Sequence, residues 1–206
     1  RKGKEEYVPL YEGKMVQAYD HRAASIVVNP ANLHRPAQPQ PASLARHRDI
    51  KWLPEPQFWV DLSEVNKRQP NTWTLCFKEI TAPTNARTMI ALIAPGVGFG
   101  NKVPLLLPAN SQAKSYSAWA PLLLANLNAF AFDFVARQKL HGQTQNLFMV
   151  EQLPVIPAEC FEKTLGNQTI ADFIRAQVLR LTYTAVDLRP FAADMGYEGE
   201  PFVWDE

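Results

Sequence analysis

Arg137, Lys139 and His141 crowd the end of one apolar stretch, and Gly142 is followed by Gln143, Thr144, Gln145 and Asn146. Three basic groups and four polar side chains delivered to one spot suit a polyanion. Cations would meet phosphate, and carboxamides would meet base edges. The same spacing has a purely structural reading. Cations in a last helical turn complement the helix macrodipole, and Arg137 lies four residues after Asp133, where the two can pair. Amides after a glycine are also ordinary loop residues. Spacing alone leaves both readings open.

Other chemistry is harder to assemble. Gly96, Gly98 and Gly100 follow an apolar strand, but G-x-G-x-G is not the spacing of a dinucleotide loop, and Pro104 stands where a helix should begin. The run reads as a tight loop needing positive φ, whose N–H groups could hold one phosphate. Asn29-Pro30-Ala31-Asn32 lacks the second proline and the aromatic of an adenine-methylation motif and reads as a turn. Glu12-Gly13-Lys14 is half of a nuclease site, without the aspartate upstream. His21, His34, His47 and His141 have no ligand spacing, so no metal site is expected. Cys76 and Cys160 read as two structural thiols of a reduced, cytoplasmic protein. No catalytic residue can be named.

The cluster needs an element to carry it. From Trp119 to Val135 only Asn126, Asn128 and Asp133 are polar, which predicts one helix buried on most sides. Ser117 is its expected N-cap, Pro121 falls in its first turn, and Gly142 is its stop. Asn126, Asp133 and Arg137 then form one polar seam, and Leu147–Val150 reads as a strand. Strands are expected at Tyr7–Tyr11, Ser25–Val28, Gln57–Val60, Arg87–Ala94 and Val103–Leu107, with Thr72–Ile80 half-buried by its alternation. Six prolines between Asn29 and Gln57 predict an extended loop over 29–56 without helix. Asp61 or Ser63 caps a short helix, Thr169 caps a longer one with Asp172 three residues on, and a last helix runs from Pro190 to Met195. Fold class is therefore mixed α/β (α+β): a twisted, mainly antiparallel sheet against a central buried helix.

The chain has 206 residues, enough for one sizeable domain. Its net charge of +1 says nothing about partners, but the distribution is uneven. Residues 1–68 carry 11 basic against 8 acidic groups, 69–150 carry 6 against 2, and 151–206 carry 4 against 10. A basic body with an acidic tail is compatible with DNA on one face. No transmembrane segment is expected. The chain reads as a piece of a longer protein.

LANLNAFAFDFVARQK with Gly142, Asn146 and QLPVIP resembles the closing part of a DNA target-recognition domain. The family is the adenine-specific DNA methyltransferases of bacterial restriction–modification and phage-defence systems. PLYEGKMVQAYDHR, NARTMIALIAPGVGFGN and LTYTAVDLRPFAADMGYEGEPFVWDE extend the resemblance to about half the chain. It implies that residues 1–206 form a recognition domain with a helical, acidic appendage over 165–206. It also implies double-stranded DNA as partner and an N-terminal methyltransferase domain that binds S-adenosylmethionine and flips the target adenine. No cofactor and no activity are expected of this chain alone.

Arg137, Lys139, Asn146, Arg87, Lys14, His21 and Arg22 match the family's pattern. Shared positions cannot encode one particular sequence, so these are candidates for phosphate contacts or scaffold. Base reading is expected where the match is poorest: Arg68 and Gln69 within Lys67–Asn71, Gln112 and Lys114 within Asn110–Lys114, and His141, Gln143 and Gln145 after the central helix. The alternative is a module without DNA, which packs its apolar helix on a partner domain.

Overall fold

The computed structural model describes residues 6–32, 37–69, 71–109 and 115–205, so Gln112, Lys114 and His34 lie outside the described residues. The chain is α+β, its sheets small and mostly antiparallel. It opens with β1 (Tyr7–Tyr11), a 3₁₀ turn at Gly13–Met15 and β2 (Ala24–Val27). The proline-rich segment is more regular than its composition predicts. It holds β3 (Gln38–Pro41), which pairs with β2 as an antiparallel ribbon, and α1 (Leu44–Arg48). The helix fits between Pro41 and Pro54, where Ser43 supplies the cap.

Then follow β4 (Phe58–Asp61), α2 (Leu62–Arg68), β5 (Trp73–Phe77), β6 (Ala91–Pro95), β7 (Gly98–Phe99) and β8 (Leu105–Leu106). Asp61 caps α2 by accepting from the Ser63 N–H. β1 lies between β4, antiparallel, and β7, parallel. β5 lies between β6 and β8, both antiparallel to it. The expected sheet is thus divided, with a distinct three-stranded core of β6, β5 and β8.

β5 is buried on both faces rather than half-buried. Trp73, Leu75 and Phe77 point into the helical layer, while Cys76 points into a second cluster with Tyr11, Met15, Val16 and Ile26. Three layers result: helices, core sheet and N-terminal strands. Gly98 owes its identity to a close approach within the β4–β1–β7 sheet. None of Gly96, Gly98 and Gly100 has the expected positive φ. Gly98 pairs with Leu10 across the β1–β7 ladder, and a Cβ there would collide with the Val60 side chain.

The expected long helix is two: α3 (Tyr116–Leu127) and α4 (Phe130–Lys139), bent by 67°. α3 begins at Tyr116, so Pro121 lies past its first turn. The break has a polar cause. Asn128 accepts from the Ala91 N–H at 2.9 Å and donates to the Ala91 carbonyl at 2.8 Å, satisfying the free edge of β6. Asp133 Oδ1 then accepts from the Thr88 and Met89 N–H groups, both at 2.7 Å. The chain turns because these two side chains must reach the strand. Asn126 holds Ile156 N–H at 2.9 Å, so the seam is divided between two helices and turned inward.

α5 (Leu147–Val150) replaces the strand expected there, because Asn146 caps it by accepting from Met149 N–H. α6 (Ala158–Phe161) and the hairpin β9 (Thr164–Leu165) and β10 (Gln168–Thr169) lead into α7 (Ile170–Thr182) and α8 (Arg189–Asp194). Thr169 caps α7 as expected, and Gly196 stops the chain after α8 at φ +74. Val178, Leu179 and Phe191 enter the main core, so the described part of the expected appendage, residues 165–205, is built into the domain. Among the described residues no single helix is long and apolar enough to cross a membrane; α3 and α4 reach that composition only as a bent pair.

Asp133→Ala should therefore be costly. It strands two buried N–H groups and removes the carboxylate paired with Arg137 at 3.1 Å. Denaturant unfolding is expected to show a loss of about 3 kcal/mol, the scale of two unmet buried donors. A loss below roughly 0.5 kcal/mol, the range of ordinary surface substitutions, would mean the corner is held by packing alone.

Candidate nucleic-acid interface

Three lysines far apart in sequence meet beside the β1–β4 sheet. Lys14 is set by the 3₁₀ turn after β1, Lys78 follows β5, and Lys102 lies between β7 and β8. They line a groove of about 650 Å³ together with Phe58, Thr81, Asn85, Asn101 and Gln143. Lys14 donates to the Ala37 carbonyl at 2.9 Å and lies 3.2 Å from Glu12, and Lys102 lies 3.3 Å from Glu79. The Lys78 amine has no hydrogen-bond or ion-pair partner among the described residues, while its main-chain N–H donates to the Ile90 carbonyl at 2.9 Å. Burial of its amine holds its pKa below the ordinary lysine value.

A second groove of about 560 Å³ adjoins the first through Leu10 and Asn101 and carries Arg68 on its wall. Lys67 is engaged by Glu64 at 2.6 Å, whereas Arg68 is exposed. The two grooves together present Lys14, Lys78, Lys102 and Arg68 over one face. Phe58, at the outer strand of its sheet, adds a half-exposed ring.

The loop after α4 forms the rim through main-chain bonds. Thr81 N–H donates to the Gln143 carbonyl at 3.1 Å, Gln145 N–H donates to the Glu79 carbonyl at 2.8 Å, and Ile80 bridges Thr144. Gln143 projects an exposed side chain there, and His141 is exposed two residues earlier. Gly142, two residues past the extended cap Leu140, takes φ +117, a conformation that favours glycine.

Several expected ligand contacts are internal. Arg22 is fully buried: Nη1 donates to the Asp49 and Trp52 carbonyls, and Nη2 donates to those of His47 and Thr184. It therefore reaches no phosphate here. His21 is likewise buried against Asp187, at 3.0 Å. Burial alone would raise the Asp187 pKa, but the charges of His21 and Arg22 hold it below the usual carboxylate range. Gln69 is buried and donates to the Val97 carbonyl, and Gln145 is buried with its amide against the Met89 sulfur. Neither can read a base from those positions. Arg137 is spent on the Pro83 and Ala86 carbonyls and on Asp133, and the Asn146 side chain on its cap.

Lys139 is exposed and donates to the Gln152 carbonyl at 3.3 Å. Arg87 is half-buried, its guanidinium 4.0 Å from the Phe130 ring centroid. Sequence reasoning thus misses Lys78, Lys102, Asn85 and Asn101. The signal available is weak: Asn101 and Lys102 directly follow the glycine run whose N–H groups suggested a phosphate. Among the described residues no cluster of His, Cys, Asp or Glu could hold a metal ion. The chain matches no known protein family, no curated protein and no solved structure.

The groove makes Lys78 a test of whether its charge is kept for a ligand. Its folded pKa lies below its unfolded one, so between the two values the unfolded chain binds more protons. Stability contributed by this group therefore rises with pH through that window, and the amine is a penalty below it. Lys78→Met should raise the thermal midpoint at neutral pH and flatten that alkaline gain. An unchanged midpoint and an unchanged pH profile would mean the amine is already well hydrated.

Proposed function

We propose that this chain is the sequence-recognising module of an N6-adenine DNA methyltransferase of a bacterial restriction–modification or phage-defence system. The groove carrying Lys14, Lys78 and Lys102 is the observation that supports it most. Duplex DNA carries one negative charge per roughly 1.7 Å of axis, so a face with spaced cations gains by displacing its counterions. Amide side chains among those cations are the donors and acceptors that read base edges. Arg68 and Gln143 remain exposed readers, and His141 lies beside Gln143 on the rim. The methyl donor S-adenosylmethionine and the flipped adenine belong to a methyltransferase domain on the N-terminal side of this chain, in the cytoplasm.

A packing role has its own support. Trp119, Val155 and Ile156 are exposed around an apolar groove of about 390 Å³ that also includes Leu107 and Leu123. That groove suits the methyltransferase domain, and it need not compete with DNA for the lysine face.

Fluorescence anisotropy with a mixed-sequence DNA duplex tests the reading over a range of salt. Lys14→Ala, Lys78→Ala and Lys102→Ala together should weaken binding to all sequences alike. The slope of log affinity against log salt should fall by roughly 0.9 for each phosphate the variant no longer neutralises. No binding at low salt, or a slope indifferent to the three lysines, would overturn it. In the full-length enzyme, Arg68→Ala and Gln143→Ala should each introduce degeneracy at particular positions of the methylated site. A bidentate contact of this kind discriminates by roughly 1–3 kcal/mol. Methylated sites unchanged in both variants would remove them as readers.

A further inference from the structure

An aromatic ridge stands uncovered beside the lysine groove. Phe130 opens α4 at the corner and is 81% exposed; Phe134, one turn on, is 64% exposed. The inward side of α4 is filled by Phe132 and Ala136, so these two rings are surplus to the core. Two such rings one turn apart leave apolar surface open to solvent on one side of α4.

The charge around the ridge narrows its partner. Arg87 lies over Phe130 with its Nη1 enclosed and unpaired, and no carboxylate pairs with it among the described residues. Asp133, the acidic side chain of α4, is turned inward onto main-chain N–H groups. The face joins two exposed rings to a guanidinium. Unstacked nucleotides match it directly, because each joins an aromatic face to a phosphate.

The ridge is also contiguous with the groove. Thr81, Ala82 and Asn85 line the groove, while Pro83, Ala86 and Arg87 of the same loop meet Arg137 and Phe130. Nucleic acid held by the lysines would cross this loop onto the two rings. We propose that Phe130, braced by Arg87, and Phe134 stack against bases that leave the helical stack of a nucleic acid lying over the lysine groove. This rests on the DNA reading above and adds a contact that phosphate binding does not supply.

The test uses the whole chain with a DNA strand carrying 2-aminopurine, offered unpaired and as a duplex with a central mismatch. Binding should change the fluorescence of 2-aminopurine at the unpaired positions. Phe130→Ala with Phe134→Ala should lower affinity for the unpaired strand by roughly tenfold or more, the scale of base stacking on an aromatic ring. The salt slope should stay unchanged, since no charge is removed, and Phe130→Trp should restore both affinity and fluorescence. Both rings are exposed, and a thermal midpoint matching the parent's confirms an intact fold. Native affinity and fluorescence in the double alanine variant, with the lysine variants still impaired, would overturn the ridge as a nucleic-acid contact. It would leave the DNA reading standing. A native chain that binds neither probe would overturn both.

Discussion

The buried guanidinium of Arg22 is the constraint that holds distant parts of this chain together. A cation removed from water is tolerated only where acceptors surround it, and here four main-chain carbonyls do so. They come from the segment around α1 and from Thr184 just after α7, regions distant in sequence. Asp20 reinforces the arrangement by accepting from the Arg22 N–H at 2.8 Å and facing His47 at 3.1 Å. His47 in turn stacks on Trp204 with ring centroids 4.0 Å apart. One charge thus ties the start, the proline-rich segment and the end of the chain into one body. Removing it would take the donor from the His47, Trp52 and Thr184 carbonyls at once.

Legibility followed the origin of each signal. Local signals held: Tyr7–Tyr11, the Asp61 and Thr169 caps and the Gly196 stop are written in neighbouring residues and appear where expected. Signals that depend on distant partners failed. The α3–α4 corner is dictated by the unpaired edge of β6, 37 residues upstream, and nothing near Asn128 announces it. Counting prolines misses α1, because one helical turn needs only the gap between two of them. The alternation of β5 does separate two faces, yet the second is covered by residues from β1 and β2.

The candidate site was legible to a smaller degree, for the same reason. Residue type suggested cations and amides but not which ones the fold would keep for itself. Arg22, Arg137, Gln69 and Gln145 are consumed internally, satisfying carbonyls or filling the core. Lys78 and Lys102 are isolated in sequence and become neighbours of Lys14 only through the packing of three separate connections. A basic residue four places from an acid on a helix was a better guide to structure than to binding: Arg137 and Asp133 pair as their spacing implies.

The rim loop after α4 is fastened to the Glu79–Thr81 segment by peptide groups, not by side chains. Peptide groups are the same whatever residue bears them. At Gln143 and Thr144, whose side chains are exposed, the alphabet can therefore change while the loop's path stays fixed. Gln145 is the exception, since its buried amide belongs to the core. A lineage could exchange the outward letters one at a time without refolding anything, so variation at this rim is mechanically uncoupled from the scaffold beneath it.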